Sequence, residues 1–515
     1  MAGSRLLLDT NIFIALEDPK IVPTHVAALA QKASLHGLSL FLDEACVEDI
    51  KRDRNPERRA TTLSKLSKFP LLADVAHRSL ETQIARFGQA RDNNDRCDAL
   101  LLDTLELGVV DFLVTEDAGI HRRAEKAGLR GRVFTVQEAL TWVQRTYEPK
   151  EFSLPYIVAH KAHQISLDDP LFESLREDYP GFDAWFAGCR RDHRDCWTVE
   201  IDGQLAGLVI RKVETHAQAL TVHPGPRILK ICTLKMKTEF QGEKFGEQLL
   251  KKVLWFAQGN GYDLVYVTVF PKHELLISLL QTYGFEITKK LDRDELMMER
   301  PMLTGALPPL ADARGALAAD FKTYPRYFDG DAVQKHVVPM QADFHRILFP
   351  EIADTPTLPL FPLDSYLMRT GGGQDRTPGN TIRKVYVCRS PIRSLSSGDL
   401  LLFYLSKTGD LARSQTLTTV GVVEQVRLAD SATELLRLVG RRSVYSRETL
   451  ESMRPSAESP VLVIDFILNG HFAPPVTLDY LLERGVFVER PPQSIKRLRP
   501  EAYEVLKPSL RVSFE

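Results

Sequence analysis

Short apolar runs alternate with longer helical stretches over the first 150 residues. Strands are predicted where the apolar runs are compact, at residues 5–8, 109–115 and 133–136. Between them, apolar side chains recur with helical spacing from residue 12 to about 107, and again over 119–128 and 137–145. This alternation is typical of a parallel sheet covered by helices.

The pattern changes twice further along the chain. From about residue 152 to 300 it predicts a β-hairpin, a long strand, an amphipathic helix, a buried strand, a second helix and a final strand pair, at 197–202 with 205–213, 227–237, 242–259, 263–270, 273–283, and 285–291 with 296–300. Later strands are short and separated by turns, at 384–388, 400–405, 418–426 and 460–468. Short strands with regular turns favour a small β-barrel with added helices.

Length and composition fit this division. At about 150 residues per domain, 515 residues give three domains. We place them at residues 1–147, 151–303 and 331–515, with a linker at 304–330 that is rich in Gly, Pro and Ala at its start. The fold class expected is therefore a multidomain α/β protein.

Charge and cysteine content exclude several classes of protein. The net charge is -2, so any contact with RNA has to be local. Six cysteines are too few for a secreted disulfide scaffold, and no apolar run approaches the roughly 20 residues of a membrane helix. We expect a cytoplasmic protein without a membrane partner.

Four acidic residues stand where a sheet would gather them. Asp9 and Asp117 follow predicted strands, whereas Glu48 and Asp98 lie in helices. The carboxyl ends of parallel strands share one edge, and carboxylates brought together there repel each other unless a cation joins them. Oxygen ligands suit Mg²⁺ or Mn²⁺, which can assist attack of water on a phosphodiester. The alternative is that Asp9 and Asp117 only cap helices.

The segments LLLDTNIFIAL, LDEACVEDI and DRCDALLLDTLELGVVDFLVTEDAGI together resemble the PIN-domain nucleases over residues 1–147. The resemblance implies a parallel α/β/α sandwich and endoribonuclease activity with Mg²⁺ or Mn²⁺. Its four acids, the catalytic and metal-binding residues, map onto Asp9, Glu48, Asp98 and Asp117. Asn11 and Thr115 match supporting positions. Asp95 competes with Asp98 for the third position, and Glu44 competes with Glu48 for the second.

A second constellation lies between the strand at 227–237 and the helix after it. Gln241-Gly242-Glu243-Lys244-Phe245-Gly246 forms a glycine-bearing turn there. Free amides at a helix N-terminus bind phosphate groups, although an ordinary connecting turn has the same composition.

In its context of hairpin, strand, turn, helix and the ending LLQTYGFE, the segment resembles the GNAT acetyltransferases over about residues 152–303. The resemblance implies that acetyl-CoA is bound by the backbone around Leu234 and Met236 and by the turn. The turn residues concerned are Gln241, Gly242, Lys244, Phe245 and Gly246.

Two positions depart from the acetyltransferase pattern. Lys244 stands where the motif has its first glycine, so its side chain either crowds the phosphates or neutralises them. Leu280 stands where the family often has a tyrosine that acts as general acid, and Tyr283 is not equivalent to it. Glu239 is an alternative base acting through water, or a solvated acid at the end of a strand.

The C-terminal region carries RSPIRSLSSGDLLLFY and TTVGVVEQV. These segments resemble the PUA-like superfamily near its ASCH and EVE branches, over residues 331–515. The resemblance implies a small β-barrel that recognises RNA, such as tRNA or another structured RNA. Phe403, Tyr404 and Tyr445 either stack on bases or pack in the core, and Lys496-Arg497 either binds phosphates or is solvated.

The sequence thus predicts a metal-dependent endoribonuclease fused to an acetyltransferase and an RNA-recognition domain. PIN and GNAT domains both recur as bacterial toxins, so the combination suggests a toxin with an antitoxin protein as partner. Self-association into a homo-oligomer is left open. Two alternatives remain, an acetyltransferase with a non-cleaving PIN module and a nucleic-acid-binding regulator without turnover.

Overall fold

The computed structural model describes residues 4–17, 22–52, 55–148, 156–201, 204–237, 245–292, 294–303, 305, 307, 315–352, 376–378, 380–408, 414–442 and 444–514. All statements below concern these residues.

The N-terminal region is built on a five-stranded sheet. Its strands are β1 (Arg5–Leu8), β2 (Ser39–Asp43), β3 (Leu71–Leu72), β4 (Phe112–Val114) and β5 (Val133–Phe134). They lie in the order β3-β2-β1-β4-β5, and every neighbouring pair is parallel. The parallel sheet predicted from the sequence is confirmed.

Helices cover both faces of this sheet. They are α1 (Thr10–Leu16), α2 (Thr24–Leu35), α3 (Glu44–Lys51), α4 (Pro56–Lys65), α5 (Leu80–Phe87), α6 (Asn93–Glu106), α7 (Ala118–Lys126) and α8 (Val136–Tyr147). Because side chains alternate along a strand, Leu6 and Leu8 pack with α1, α2 and α8, whereas Leu7 packs with α5, α6 and α7 on the opposite face.

The second sheet begins with seven strands from the middle of the chain. They are β6 (Tyr156–Lys161), β7 (Asp195–Ile201), β8 (Gln204–Glu214), β9 (Ile228–Met236), β10 (Leu264–Val269), β11 (Glu286–Lys290) and β12 (Leu296–Pro301). The helices between them are α9 (Glu173–Asp178), α10 (Phe182–Arg191), α11 (His216–Ala219), α12 (Phe245–Gly259) and α13 (Glu274–Thr282). The order is β11-β12-β10-β9-β8-β7-β6, and β9–β10 is the parallel pair among antiparallel neighbours.

The rest of the chain forms a mixed sheet with helices. Its elements are α14 (Ala316–Thr323), β13 (Lys335–Met340), α15 (Ala342–Leu348), β14 (Arg376–Pro378), β15 (Arg383–Cys388), β16 (Leu400–Leu405), β17 (Thr416–Ala429), α16 (Ala432–Val439), α17 (Arg447–Ser452), β18 (Val461–Thr477), α18 (Leu478–Glu483), β19 (Lys496–Arg497), α19 (Pro500–Leu506) and β20 (Val512–Ser513). Strand β14 joins the second sheet beside β6, and the others form a third sheet.

The third sheet differs from the expected barrel. Its order is β15-β18-β17-β16-β13-β19, with β20 paired to β18. Within the described strands this path has two open ends, so no closed PUA-like barrel is formed. The predicted strands are present, but β13 and β16 pair in parallel, which regular short turns between successive strands would not produce.

The expected linker contains a packed helix. Helix α14 lies within residues 304–330, and its Ala316 and Asp320 are fully buried. The Asp320 carboxylate accepts a hydrogen bond from the Phe328 amide at 2.8 Å. This part of the chain is therefore structured, despite a composition that indicated a connector.

The described chain separates into two compact units. One unit holds the described residues up to 148 together with 428–463, and the other holds the described residues of 156–427 and 464–514. Helices α16 and α17 thus belong to the N-terminal unit, where the Arg437 guanidinium donates to Asp111 at 2.6 Å. The remaining described residues of the regions expected as a central and a C-terminal domain lie in the second unit.

None of the helices in the described part of the chain combines the length and apolar character that crossing a bilayer requires.

Candidate functional site

Asp9 and Thr115 meet at the carboxyl edge of the N-terminal sheet. The Thr115 hydroxyl donates to Asp9 Oδ2 at 2.6 Å, and the Thr10 amide donates to Asp9 Oδ1 at 2.6 Å. Thr115 also accepts a hydrogen bond from the Asp117 amide at 2.9 Å. Asp9 and Asp117 are the N-caps of α1 and α7, so the capping alternative describes part of their role.

Three of the four predicted acids influence one another here. Burial, followed by the carboxylates of Asp117 and Asp9, raises the pKa of Asp98 to about 7. Burial likewise raises the pKa of Asp9 to about 6, with Asp117 and Asp49 adding to it and hydrogen bonds opposing it. The fold therefore gathers Asp9, Asp98 and Asp117 into one region of negative charge, which Arg123 opposes at Asp98.

Glu48 does not join this group. Its side chain is 60% exposed and pairs with Lys51 at 2.7 Å. The next residue, Asp49, supplies the carboxylate that acts on Asp9. The phase of α3 explains the difference, because Ala45, Cys46 and Ile50 are buried and residue 49 lies on their side of the helix, one turn from 45 and 46.

The structure also shows where the competing acids Asp95 and Glu44 lie. Asp95 is held by Arg91 at 2.9 Å and by Arg123 at 2.8 Å, and hydrogen bonds from Arg91 keep its pKa well below the ordinary range. The same Arg123 guanidinium also lies 3.5 Å from the Asp98 carboxylate, so Asp95 and Asp98 share this cation. Asn11 and Glu44 are exposed at the starts of α1 and α3.

The donor set fits a hard divalent cation in chemistry, since it consists of carboxylates that burial and mutual repulsion destabilise. As the side chains stand, the described residues contain no group of three or more His, Cys, Asp or Glu arranged to hold a metal ion.

The second candidate site is a gap between β9 and β10. The two strands pair only over Ile228–Ile231 and Leu264–Val267, although β9 continues to Met236. Beyond Ile231, β9 is paired with β8 alone. The far side of its last residues is thus an open strand edge.

A β-bulge in β9 determines which backbone groups of this strand face the gap. The register of β9 against β8 shifts between Ile231 and Thr233, so Cys232 is the extra residue. The Lys237 amide donates to Ala206 on the β8 side at 2.9 Å. Alternate residues of a strand point their N–H and C=O groups to opposite sides. Leu234 and Met236 therefore direct these groups into the gap, and they are the strand residues at which the resemblance to the GNAT acetyltransferases implies that acetyl-CoA is bound.

The glycine-bearing turn is only partly described. Gln241, Gly242 and Lys244, like Glu239, lie outside the described residues, and Phe245 is described only as the first residue of α12. At Gly246 an added Cβ would meet Leu279 at an ordinary 3.8 Å. Packing against α13 therefore leaves room for a small side chain at this position.

The positions considered for a general acid are closed to solvent. Leu280 is fully buried, and the Tyr283 ring packs between Phe321 and Tyr324. Neither side chain reaches the gap as a proton donor.

The aromatic residues considered for base stacking are core residues. Phe403, Tyr404 and Tyr445 are each at most 1% exposed, so they pack in the interior and offer no stacking surface. Lys496 and Arg497 are exposed.

Comparison with known proteins agrees with the second site. Residues 159–285 match the family model "Acetyltransferase (GNAT) family". The strand order, the bulged β9 and the gap beside β10 lie within or against this segment, so the chain contains a GNAT domain. No curated protein is similar enough to the chain to be counted as a relative.

Solved acetyltransferase structures are also similar to part of the chain. An IAA acetyltransferase from Bacillus cereus ATCC 14579 is 16% identical, with 28% of this chain and 99% of that one covered and a TM-score of 0.23. A GNAT family acetyltransferase from Elizabethkingia anophelis with acetyl-CoA bound is 15% identical, with 28% and 98% covered and a TM-score of 0.22. NAA60 from Arabidopsis thaliana in complex with a bisubstrate analogue is 16% identical, with 28% and 97% covered and a TM-score of 0.23.

Proposed function

We propose that the chain is an N-acetyltransferase that transfers the acetyl group of acetyl-CoA to an amine. The observation that carries the proposal is the open edge of β9 at Leu234 and Met236, inside a segment that matches the GNAT family model. The pantetheine arm of acetyl-CoA contains two amides and can add to such an edge as an extra strand does. The resemblance to the GNAT acetyltransferases assigns the pyrophosphate to the glycine-bearing turn, whose free amides would hold it.

The edge can be tested without disturbing the sheet. Leu234→Pro removes a backbone N–H that points into the gap, whereas Leu234→Ala keeps it. The pairing of β9 with β8 does not use this N–H. In equilibrium dialysis we expect the proline variant to bind acetyl-CoA about five- to tenfold more weakly than the alanine variant, the value of one hydrogen bond. Equal affinities, or no binding by the native protein, would contradict the proposal.

A second candidate function is metal-dependent cleavage of RNA by the N-terminal unit. It is favoured by the raised pKa values of Asp9 and Asp98, for which burial is the main cause, with Asp117 adding to both and Asp9 adding to that of Asp98. A divalent cation bound by these carboxylates would relieve their repulsion and supply a Lewis acid for attack of water on a phosphodiester. Thr115 keeps Asp9 oriented by donating its hydroxyl proton.

Cleavage of a labelled structured RNA in the presence and absence of Mn²⁺ tests this candidate, with Asp9→Asn and Asp117→Asn as inactive variants. Cleavage that survives in both variants would refute the site. RNA binding without cleavage would favour the alternative of a nucleic-acid-binding regulator. Acetyl transfer with neither RNA binding nor RNA cleavage would leave the acetyltransferase as the sole activity. An antitoxin partner and RNA recognition by the C-terminal sheet depend on this candidate.

A further inference from the structure

Charged and polar residues from three elements meet where the gap between β9 and β10 opens. The Asp178 carboxylate, at the end of α9, lies 3.5 Å from His273 Nε2 and also pairs with Lys272. His273 is the N-cap of α13 and follows β10 closely, since its amide donates to Phe270 at 3.0 Å. Lys235 lies on the stretch of β9 that pairs with β8 but not, within the described residues, with β10, and it is close enough to influence the pKa of His273.

The segment that carries Asp178 is fixed in place. The neighbouring Tyr179 donates its hydroxyl to Glu295, between β11 and β12, at 3.1 Å. Its ring packs on Phe270 with centroids 5.0 Å apart. The carboxylate beside His273 is thus held by contacts to two further parts of the sheet.

We propose that His273, positioned by Asp178, is the residue that takes the proton from the acceptor amine. This inference rests on the acetyltransferase function proposed above and names the group that replaces the missing tyrosine at Leu280. His273 is 38% exposed and Asp178 13%, so the imidazole can be reached by a substrate while its partner stays shielded.

The charges around His273 set its protonation. Burial lowers the pKa of His273, Lys235 and Lys272 lower it further, and Asp178 opposes them. Glu177 and Asp178 act in turn on Lys235, whose pKa is itself lowered by burial. The imidazole is therefore neutral at pH 7 and able to accept a proton.

The chemical step balances with His273 in this role. The neutral amine attacks the thioester carbonyl, forming the N–C bond and giving up one proton to His273. The C–S bond breaks, and coenzyme A leaves as a thiolate that takes one proton from the imidazolium. The products are the acetamide and the free thiol. An acceptor that arrives as an ammonium ion first releases one additional proton to solvent.

The test uses thiol release from acetyl-CoA by the full-length chain. The probe amine is whichever of spermidine, lysinamide and a tetrapeptide with a free N-terminus reacts fastest, or water where all three are inert. For His273→Gln we expect kcat to fall about 100-fold, within the range of general base catalysis, with the KM for acetyl-CoA changed less than twofold. His223→Gln is the matched control, since His223 is also 38% exposed and paired with a carboxylate, Glu299, and we expect it to keep the native kcat.

The pH profile separates a catalytic from a structural role. The acidic limb of kcat should move to higher pH in Lys235→Gln, which removes a positive charge near the imidazole, and to lower pH in Asp178→Asn, which removes a negative one. An unchanged kcat in His273→Gln, a rise in KM that accounts for the whole loss, or acidic limbs that do not move would overturn the proposal. Acetyl-CoA binding with native affinity in these variants shows that such a failure concerns His273 and not the acetyltransferase function.

Discussion

The side-chain nitrogen of Lys251 lies 2.8 Å from Oε1 of Glu351, and these two side chains are only 8% and 4% exposed. Lys251 is on α12, the helix that follows β9, and Glu351 lies in a 3₁₀ turn at Pro350–Ile352. His471 on β18 also contacts Glu351, at 3.1 Å. The helix of the GNAT domain and the third sheet are thus joined by a buried charge network, which explains why they form one compact unit.

Breaking this pair from one side should destabilise the second unit strongly. Lys251→Met leaves the buried Glu351 carboxylate without its main counter-charge, at a cost of about 3–5 kcal/mol. Lys290→Met is the matched control, since Lys290 pairs with Asp294 at 2.7 Å on the surface, where ion pairs contribute little to stability. Thermal unfolding measures both, and equal shifts of the melting temperature would contradict the role assigned to the network.

The sign of the pH dependence follows from Glu351. Burial would raise its pKa, but Lys251 and His471 outweigh burial and hold the pKa well below the ordinary range. A carboxylate with a depressed folded-state pKa stabilises the protein above its unfolded-state pKa, and this contribution is lost as the pH falls through the folded-state value. The difference in the free energy of unfolding between the native protein and Lys251→Met should therefore narrow in strong acid.

Gly284 provides a second test of how the chain is packed. It ends α13 with a φ of +83°, and an added Cβ would overlap the backbone carbonyl of Lys322 at the end of α14. Gly261 has a similar φ of +64° with nothing within 4 Å. Gly261→Ala should cost about 1 kcal/mol for its left-handed backbone, and Gly284→Ala about 2–3 kcal/mol more, the range for overpacking. Similar losses in the two variants would mean that α14 does not press on this turn.

The fold was predictable where it depends on local pattern. The strands at 5–8 and 227–237 were found from apolar runs, and the parallel first sheet followed from strand–helix alternation. The partners of β13 were not predictable in this way, because its parallel pairing with β16 joins residues more than 60 positions apart. Hydrophobic periodicity identifies a strand but does not say beside which other strand it lies.

The same contrast between local pattern and long-range strand pairing applies to the candidate sites. Asp9 and Asp117 were found because acids that follow parallel strands meet at one edge. Asp49 was missed in favour of Glu48, although the buried face of α3 contains the signal. The direction of Leu234 could not be predicted, because it depends on the bulge at Cys232, which exists only once β9 is paired with β8.

Asp98 should make the N-terminal unit less stable as the pH rises. Its pKa is raised to about 7 by burial and by Asp117 and Asp9, so between about pH 4 and pH 7 the folded state binds more protons than the unfolded state. Stability is then lost as the pH rises through this window. Asp98→Asn should be more stable than the native protein at pH 8, by at most about 4 kcal/mol since the pKa is raised from 3.8 to about 7 and one pKa unit corresponds to about 1.4 kcal/mol, with solvent screening reducing this value, and equally stable at pH 4. The exposed Asp74 provides the control Asp74→Asn, which should follow the native pH profile, and an Asp98→Asn curve parallel to the native one would refute the coupling.

The last prediction separates two adjacent residues of α3 in the proposed nuclease site. Asp49 acts on Asp9, whereas Glu48 is exposed and paired with Lys51. In a Mn²⁺-dependent RNA cleavage assay, Asp49→Asn should lower the rate about 10- to 100-fold, the usual effect of losing a group that supports a metal site, while Glu48→Gln should leave the rate unchanged. The pair is closely matched, since both changes replace a carboxylate by its amide on the same helix. Loss of cleavage in Glu48→Gln with retention in Asp49→Asn would contradict this prediction and restore the assignment made from sequence.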